Sequence, residues 1–230
     1  MTEDVLNPKK YYGAQGNYLK EHKKYFSKER LQTEINFLID VLNLNKKDKI
    51  LDLACGHGRH TIELKKRGFD VDGLDFSDHL LVIAREHARR ENLRISFYEQ
   101  DIHRMNLKIK YNKIFLLFSE FGLFDAAVAL KNMAKVLRTD GLFLLDCDNV
   151  FRLIQYLLKH PKSPYHFDFS KMELRGKGNN SQAVRYYIVP ELEVLLQNAG
   201  LQVTSVYSSY QKEKLNINSK RIIIVAKNRS

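Results

Sequence analysis

A chain of 230 residues with 44% hydrophobic and 28% charged side chains can build one large α/β domain with a full core, which excludes a disordered or collagen-like polymer. Two cysteines, Cys55 and Cys147, give no disulfide framework, no secretory signal is evident, and no apolar run reaches the roughly 18 residues that span a bilayer, so a cytoplasmic setting is expected. The net charge of +11 would suit RNA, acidic lipid or an anionic substrate, but the lysines and arginines fall in short, dispersed clusters such as Lys9-Lys10 and Lys65-Lys66-Arg67 that read as solvated faces.

Residues 1–26 are polar and rich in tyrosine (Tyr11, Tyr12, Tyr18, Tyr25), an irregular arm leading into a helix. Ser27 caps the next helix, in which Leu31, Ile35, Leu38 and Leu42 recur at helical spacing. Lys49–Leu53 reads as the first strand, Arg59–Arg67 as a helix stopped by Gly68, and Phe69–Asp75 as the second strand. Ser77 caps a helix with an apolar face of Leu80, Leu81, Ile83, Ala84 and Ala88. Arg94–Tyr98 and Lys113–Phe118 follow as strands, then a helix over Ala126–Leu137, a turn at Thr139-Asp140-Gly141 and a fifth strand over Leu142–Asp146. Strands alternating with helices predict a parallel sheet with right-handed crossovers. After Asn149 the rhythm changes: 151–160 looks helical and 161–185 irregular or short-stranded. Pro190 opens a helix ended by Gly200, and Leu201–Ser208 and Arg221–Ala226 should pair antiparallel at one sheet edge.

The stretch from Ile50 to Ser77 combines a strand, a glycine-bearing turn, a helix and a second strand with a carboxylate at its tip. A dinucleotide site wants G-x-G-x-x-G; here Gly56 and Gly58 are present, but Thr61 stands where the third glycine would be. Asp52, inside the first strand, would be costly to bury unpaired, and makes sense if it accepts backbone N–H bonds from the glycine loop. Asp75 can accept both ribose hydroxyls of an adenosine. Either a nicotinamide dinucleotide or S-adenosylmethionine could use such a site.

Five ordered segments carry a resemblance: ILDLACGHG (50–58), VDGLDFS (71–77), YEQDI (98–102), FLLFSEFGLF (115–124) and GLFLLDCDN (141–149). Together they resemble the class I S-adenosylmethionine-dependent methyltransferases, over residues ~45–150. YIVPELEVLLQNAGLQV (187–203) is similar to a C-terminal element of small-molecule members. The resemblance implies a Rossmann-like, seven-stranded, mostly parallel sheet with helices on both faces and the last strand antiparallel. The chain would divide into an N-terminal arm (1–44), a cofactor-binding core (45–150), a short substrate-cap segment (151–188) and a closing helix and strand pair (189–230). It also implies roles. Ala54, Gly56 and Gly58 would approach the methionine part of S-adenosyl-L-methionine, Asp75 would hold the ribose diol, and Phe76 would pack on the adenine. Asp101 would accept from the adenine amino group beside Ile102, and Phe118 and Ser119 would lie under the sulfonium. Ala54 stands where the family often has glycine, and Asn112 where it often has aspartate.

Tyr11, Tyr12 and Tyr18 either fold over the site as a lid, with π-faces toward a sulfonium, or dock the arm on the core; Phe121 is expected beside the substrate. Weak candidates for a general base are Glu120, His57 and Tyr187, with His60, His103 and Tyr186 behind them. Arg59 either contacts the cofactor carboxylate or caps polar surface. Cys147, in LDCDN rather than a Pro-Cys pair, reads as a buried spectator thiol, and no metal is expected. The resulting expectation is methyl transfer to an N or O atom of a small molecule. The rivals are an RNA- or protein-directed methyltransferase, a non-catalytic partner subunit and a nicotinamide-dependent oxidoreductase. Nucleic acid is the less favoured partner, and no membrane partner is expected.

Overall fold

Seven strands form one mixed sheet, in the spatial order Phe97–Glu99, Asp70–Asp75, Lys49–Leu53, Tyr111–Leu116, Leu137–Asp148, Arg221–Asn228 and Leu201–Tyr207. The computed structural model describes residues 7–118, 121–176 and 183–229. Three helices come first: α1 (Pro8–Tyr11), α2 (Tyr18–His22) and α3 (Lys28–Val41). Then follow β1 (Lys49–Leu53), α4 (Arg59–Lys66), β2 (Asp70–Asp75), α5 (Asp78–Arg90), β3 (Phe97–Glu99), β4 (Tyr111–Leu116), α6 (Ala126–Val136) and β5 (Leu137–Asp148). The remainder is α7 (Val150–Lys159), the short strands β6 (His166–Asp168), β7 (Glu173–Arg175) and β8 (Val184–Arg185), α8 (Val189–Asn198), β9 (Leu201–Tyr207) and β10 (Arg221–Asn228).

The pleat divides the apolar strands between two cores. Ile50, Val71, Phe115, Leu144 and Ile223 meet Ile35, Leu38 and Leu42 of α3 and Leu64 of α4. Their neighbours Leu51, Leu74, Ile114, Leu145 and Ile224 face the other way, against α6 and α8. This is why the central strands read as continuous apolar runs: both faces are covered, and each buried aliphatic side chain contributes about 1.5–3 kcal/mol of transfer free energy. Helix starts follow the caps, with Ser27 Oγ accepting from Arg30 N–H at 3.2 Å and Ser77 Oγ from Leu80 N–H at 3.2 Å.

Strand pairing is parallel from β3 through β5. β10 runs antiparallel between β5 and β9, so the antiparallel strand lies one place in from the edge. The fifth strand starts earlier than its sequence suggests. Leu137 already pairs with Tyr111, and the Thr139-Asp140-Gly141 turn is absorbed as a bulge before Lys113 pairs with Leu142. Asp140 takes the left-handed backbone (φ 60°) that this bulge requires. The irregular stretch after α7 forms a small antiparallel sheet, β6-β7-β8. It is closed by a separate apolar cluster of Val150, Phe167, Leu174, Val184 and Tyr186. Among the described residues, no helix is long and apolar enough to cross a membrane.

Candidate active site

The chain order reverses between β1 and β4, so the segments leaving their carboxyl ends diverge and open a crevice. The segment after β1 bends sharply: Ala54, Gly56 and Gly58 have φ of 56°, 54° and 77°. The left-handed region costs a non-glycine residue about 1–2 kcal/mol, so Ala54 is held there by its surroundings. The two glycines do different work. A Cβ on Gly56 would meet nothing nearer than Leu80 and Tyr18, at 3.8 and 3.9 Å, so its bareness opens space. A Cβ on Gly58 would come within 2.9 Å of Ala84 Cβ, so its bareness lets α4 start close against α5.

The crevice holds a cavity of about 400 Å³, a size suited to a cofactor or metabolite. Ala54 and Gly56 line it with Asp75 and Phe76 from the end of β2, Asp101 and Ile102 after β3, and Phe118 after β4. Gly58 does not line it, and Ser119 lies outside the described residues. Tyr12 and Tyr18 close one side. Tyr11 does not; it is buried behind them, with its hydroxyl donating to Glu21 at 3.0 Å. The arm is clasped shut by Ser77, whose Oγ donates to the Tyr12 carbonyl at 2.7 Å, and Tyr12 sits edge-on to Phe76 at 5.7 Å.

Asp75 organises the loop. Its Oδ2 accepts from Gly56 N–H and its Oδ1 from Ser77 N–H, both at 2.8 Å. Burial pushes this carboxyl up, while these N–H bonds oppose the shift. Each oxygen keeps a further lone pair for a ligand hydroxyl. Asp52, expected to brace the glycine loop, instead accepts the Thr61 hydroxyl at 2.6 Å. Burial drives it up to about 7. Asp101 is gripped by His103, whose N–H and Nδ1 lie 2.9 and 2.6 Å from Oδ1. Asp125 N–H donates to His103 Nε2 at 2.9 Å, which makes Nε2 the acceptor and leaves Nδ1 to donate to Asp101, so both ring nitrogens are occupied.

The base candidates fare poorly on geometry. His57 is wedged against Phe26 at 4.7 Å, and burial drops it to about 3. Tyr187 is buried against Phe121, and burial raises it to about 12. Phe121 itself is fully buried, and Tyr186 is buried in the small apolar cluster. His60 is held at about 4 by burial and nearby Arg59, and its Nε2 lies 2.8 Å from Glu34. Glu120 lies outside the described residues. Cys147 is buried and raised to about 12 by burial, which suits a spectator thiol. Among the described residues, no cluster of His, Cys, Asp or Glu could hold a metal ion.

Sequence reading missed a charged group behind Phe118. Glu34, fully buried, accepts from Arg30 Nε at 2.7 Å and Arg59 Nη1 at 2.6 Å. Asp146 accepts from Arg221 Nε at 2.7 Å, Tyr210 OH at 2.5 Å and Phe118 N–H at 3.2 Å. Burial pushes Glu34 up, but its hydrogen bonds and the two guanidinium groups outweigh it and hold the carboxyl below its usual range. Arg59 therefore faces this group and is not among the residues lining the cavity. The available signal was Glu34 itself, which stands three residues after Leu31 and four before Leu38, on the apolar stripe of α3.

A sheet of this order, with a bare glycine loop after β1 and carboxylates beyond β2 and β3, defines a Rossmann-like class of enzyme that takes an adenosyl cofactor. Residues 50–141 match the methyltransferase domain family, and the enzyme is an S-adenosylmethionine-dependent methyltransferase. A Bacillus subtilis (strain 168) protein bearing a methyltransferase name is 23% identical over 212 residues, 80% of this chain and 85% of that one. A glycine/sarcosine N-methyltransferase of Aphanothece halophytica is 29% identical over 205 residues, 80% of this chain and 77% of that one. The crystal structure of a Clostridium acetobutylicum S-adenosylmethionine-dependent methyltransferase superposes with a TM-score of 0.74 at 21% identity, covering 93% of this chain and 99% of the other. The enzyme uses S-adenosyl-L-methionine as its cofactor.

Proposed function

We propose that this enzyme methylates an N or O atom of a small-molecule acceptor by in-line displacement. The observation that carries the reading is the make-up of the cavity wall. Among the described residues its charged side chains are Asp75, Asp101 and Lys9, without the basic track a nucleic-acid backbone needs. The likeness to a glycine/sarcosine N-methyltransferase, whose name specifies small amines, supports the same acceptor class.

The residues present fit the cofactor. Asp75 has lone pairs to spare for a ribose diol, Asp101 Oδ2 is not used by His103, and Phe76 offers a half-exposed aromatic face. Ala54 and Gly56 present bare backbone where an aminoacyl chain would run. When bound, S-adenosyl-L-methionine supplies an activated methyl group, so the protein's task is alignment and exclusion of water. Phe118, with Leu117, Leu123 and Phe124, forms the apolar end of the cavity. Tyr12 and Tyr18 act as a lid, and their π-faces suit a sulfonium. Among the described residues, His57, His103 and Tyr187 are unsuited to proton abstraction, which supports an acceptor that is nucleophilic without a strong base, as a neutral amine is.

The test is methyl incorporation from labelled cofactor into a metabolite extract and into bulk RNA, run side by side. Label in the small-molecule fraction alone is the expected outcome. Label in RNA alone would overturn the reading in favour of a nucleic-acid acceptor.

A further inference from the structure

His103 joins two parts of the cavity wall. One part is the segment after β3, which brings Asp101, Ile102 and His103 itself; the other is the segment before α6, which brings Leu123 and Phe124. Asp101 Oδ1 accepts twice from His103, from its backbone N–H at 2.9 Å and from its Nδ1 at 2.6 Å. On the far side of the ring, Nε2 accepts from Asp125 N–H at 2.9 Å. Asp125 follows Phe124 directly and caps α6, its Oδ1 accepting from Val128 N–H at 3.1 Å. The His103 ring also meets the Phe124 ring edge-on, with centroids 5.8 Å apart.

These bonds fix more than one ring. A ring nitrogen that accepts leaves the other to donate, so the Asp125 bond sets the direction of the Asp101 bond. The loop beneath is tied down as well: Asn132 Nδ2, on α6, donates to the His103 and Ile102 carbonyls at 2.8 and 3.2 Å. The Asp101 side chain is 52% exposed, and a carboxylate so placed ordinarily samples several rotamers. Here Oδ1 is occupied by two donors, and Oδ2, which takes part in neither bond, is held at one angle beside Ile102 and Phe124. Apolar neighbours of that kind suit a flat ring, and the ring the cofactor offers is adenine, whose hydrogen-bond donor is its 6-amino group.

We propose that His103 is a positioning residue for cofactor specificity: it braces Asp101 against the α6 segment so that Oδ2 selects a 6-amino purine over a 6-oxo purine. The inference rests on the reading above, in which Asp101 faces the adenine. An oxygen that can only accept bonds an amino group and repels a carbonyl oxygen. The carboxylate alone does not secure that choice, because a 6-oxo purine carries an N1–H beside its carbonyl, and a mobile carboxylate can swing to it. A carboxylate held by His103 cannot follow, so the 6-oxo ring leaves its own carbonyl and Oδ2 opposed. Two substitutions divide the ring's bonds. The amide nitrogen of asparagine takes the place of Nδ1 and keeps the donor to Asp101, and the side-chain oxygen of glutamine takes the place of Nε2 and keeps the acceptor for Asp125 N–H.

The test titrates the full chain by calorimetry with S-adenosylhomocysteine and with S-inosylhomocysteine, which carries a 6-oxo group in place of the 6-amino group. Wild type is expected to prefer the amino ligand by on the order of thirtyfold. His103→Asn should keep that ratio within about threefold, and His103→Gln should lower it by about tenfold. A wild type that binds both ligands equally overturns the proposal and leaves methyl transfer standing. An unchanged ratio in His103→Gln, even with lowered stability, is what a merely structural histidine would give, and overturns it too. So does a ratio lost in His103→Asn, which keeps the donor to Asp101. Should neither variant fold, the ¹⁵N shifts of the His103 ring in wild type loaded with S-adenosylhomocysteine decide: a proton on Nδ1 and a bare Nε2 are expected, and the reverse overturns the proposal. Failure of wild type to bind either ligand overturns the methyl-transfer reading instead.

Discussion

Thr61 Oγ1 donates to Asp52 Oδ2 at 2.6 Å, and both residues are buried at the root of the glycine loop. Thr61 occupies the position of the third glycine in a dinucleotide motif, so a hydroxyl that satisfies a core carboxyl replaces a bare contact there. Thr61→Val keeps the shape and removes the donor. It should lower unfolding free energy by about 1–3 kcal/mol, measured by chemical denaturation. An unchanged midpoint and slope would mean that Asp52 is satisfied some other way.

Asp52 also makes stability depend on pH. Its carboxyl moves from 3.8 to about 7 in the folded chain, chiefly through burial. Between those values the folded state holds a proton that the unfolded state has released, so stability falls as pH rises through the window and levels off above it. His57 and His60, lowered from 6.5 to about 3 and about 4, act in the opposite sense: their contribution is full above 6.5 and fades as pH falls. Subtracting wild type from Asp52→Asn isolates the carboxyl. The difference in unfolding free energy should climb from about pH 4 to about pH 7, and a flat difference curve would refute the assignment.

Asp75→Ala removes the acceptor for both Gly56 N–H and Ser77 N–H as well as any bond to a ribose. Affinity for S-adenosylhomocysteine should weaken by about 1–3 kcal/mol in a calorimetric titration. Equal affinity in a folded variant would rule Asp75 out as the ribose partner.

Gly58→Ala tests the division of labour between the two glycines. The added methyl meets Ala84 Cβ at 2.9 Å and the Phe97 ring at 3.3 Å, on a backbone with φ 77°. Thermal stability should drop by the equivalent of about 1–3 kcal/mol, the range for overpacking. A variant as stable as wild type would show that α5 yields freely.

Ser77→Ala breaks two contacts at once, the cap of α5 at Leu80 N–H and the clasp on Tyr12. Loss of the cap should lower stability by about 1 kcal/mol. Loss of the clasp should speed cofactor dissociation in stopped flow, because Tyr12 closes the cavity. Unaltered dissociation would leave the arm as a passive docking segment.

The sheet, its helices and the cofactor end of the cavity were legible because they are written locally. Apolar runs mark strands buried on both faces, Ser27 and Ser77 announce helices, and Gly56 with Asp75 marks the turn and tip. The bulge at Asp140 was not legible, since a turn between a helix and a strand looks the same whether or not its flanks pair. The arrangement behind Phe118 was hidden for another reason. Arg30, Arg59, Asp146 and Arg221 are separated by up to 191 residues and meet only through the sheet order. Asp52 was visible as a buried carboxyl, but its partner, two residues into a helix, could not be chosen over the loop amides.

The antiparallel insertion of β10 constrains assembly. β9 leaves the ribosome before β10 yet borders the sheet only through it, and β5 has no partner on that side until residues 221–228 emerge. Until then the nascent protein carries an open, sticky flank at β5, and Asp146 waits for Arg221. Closing it joins segments distant along the chain, which makes this step slow and the moment when a chaperone has most to protect.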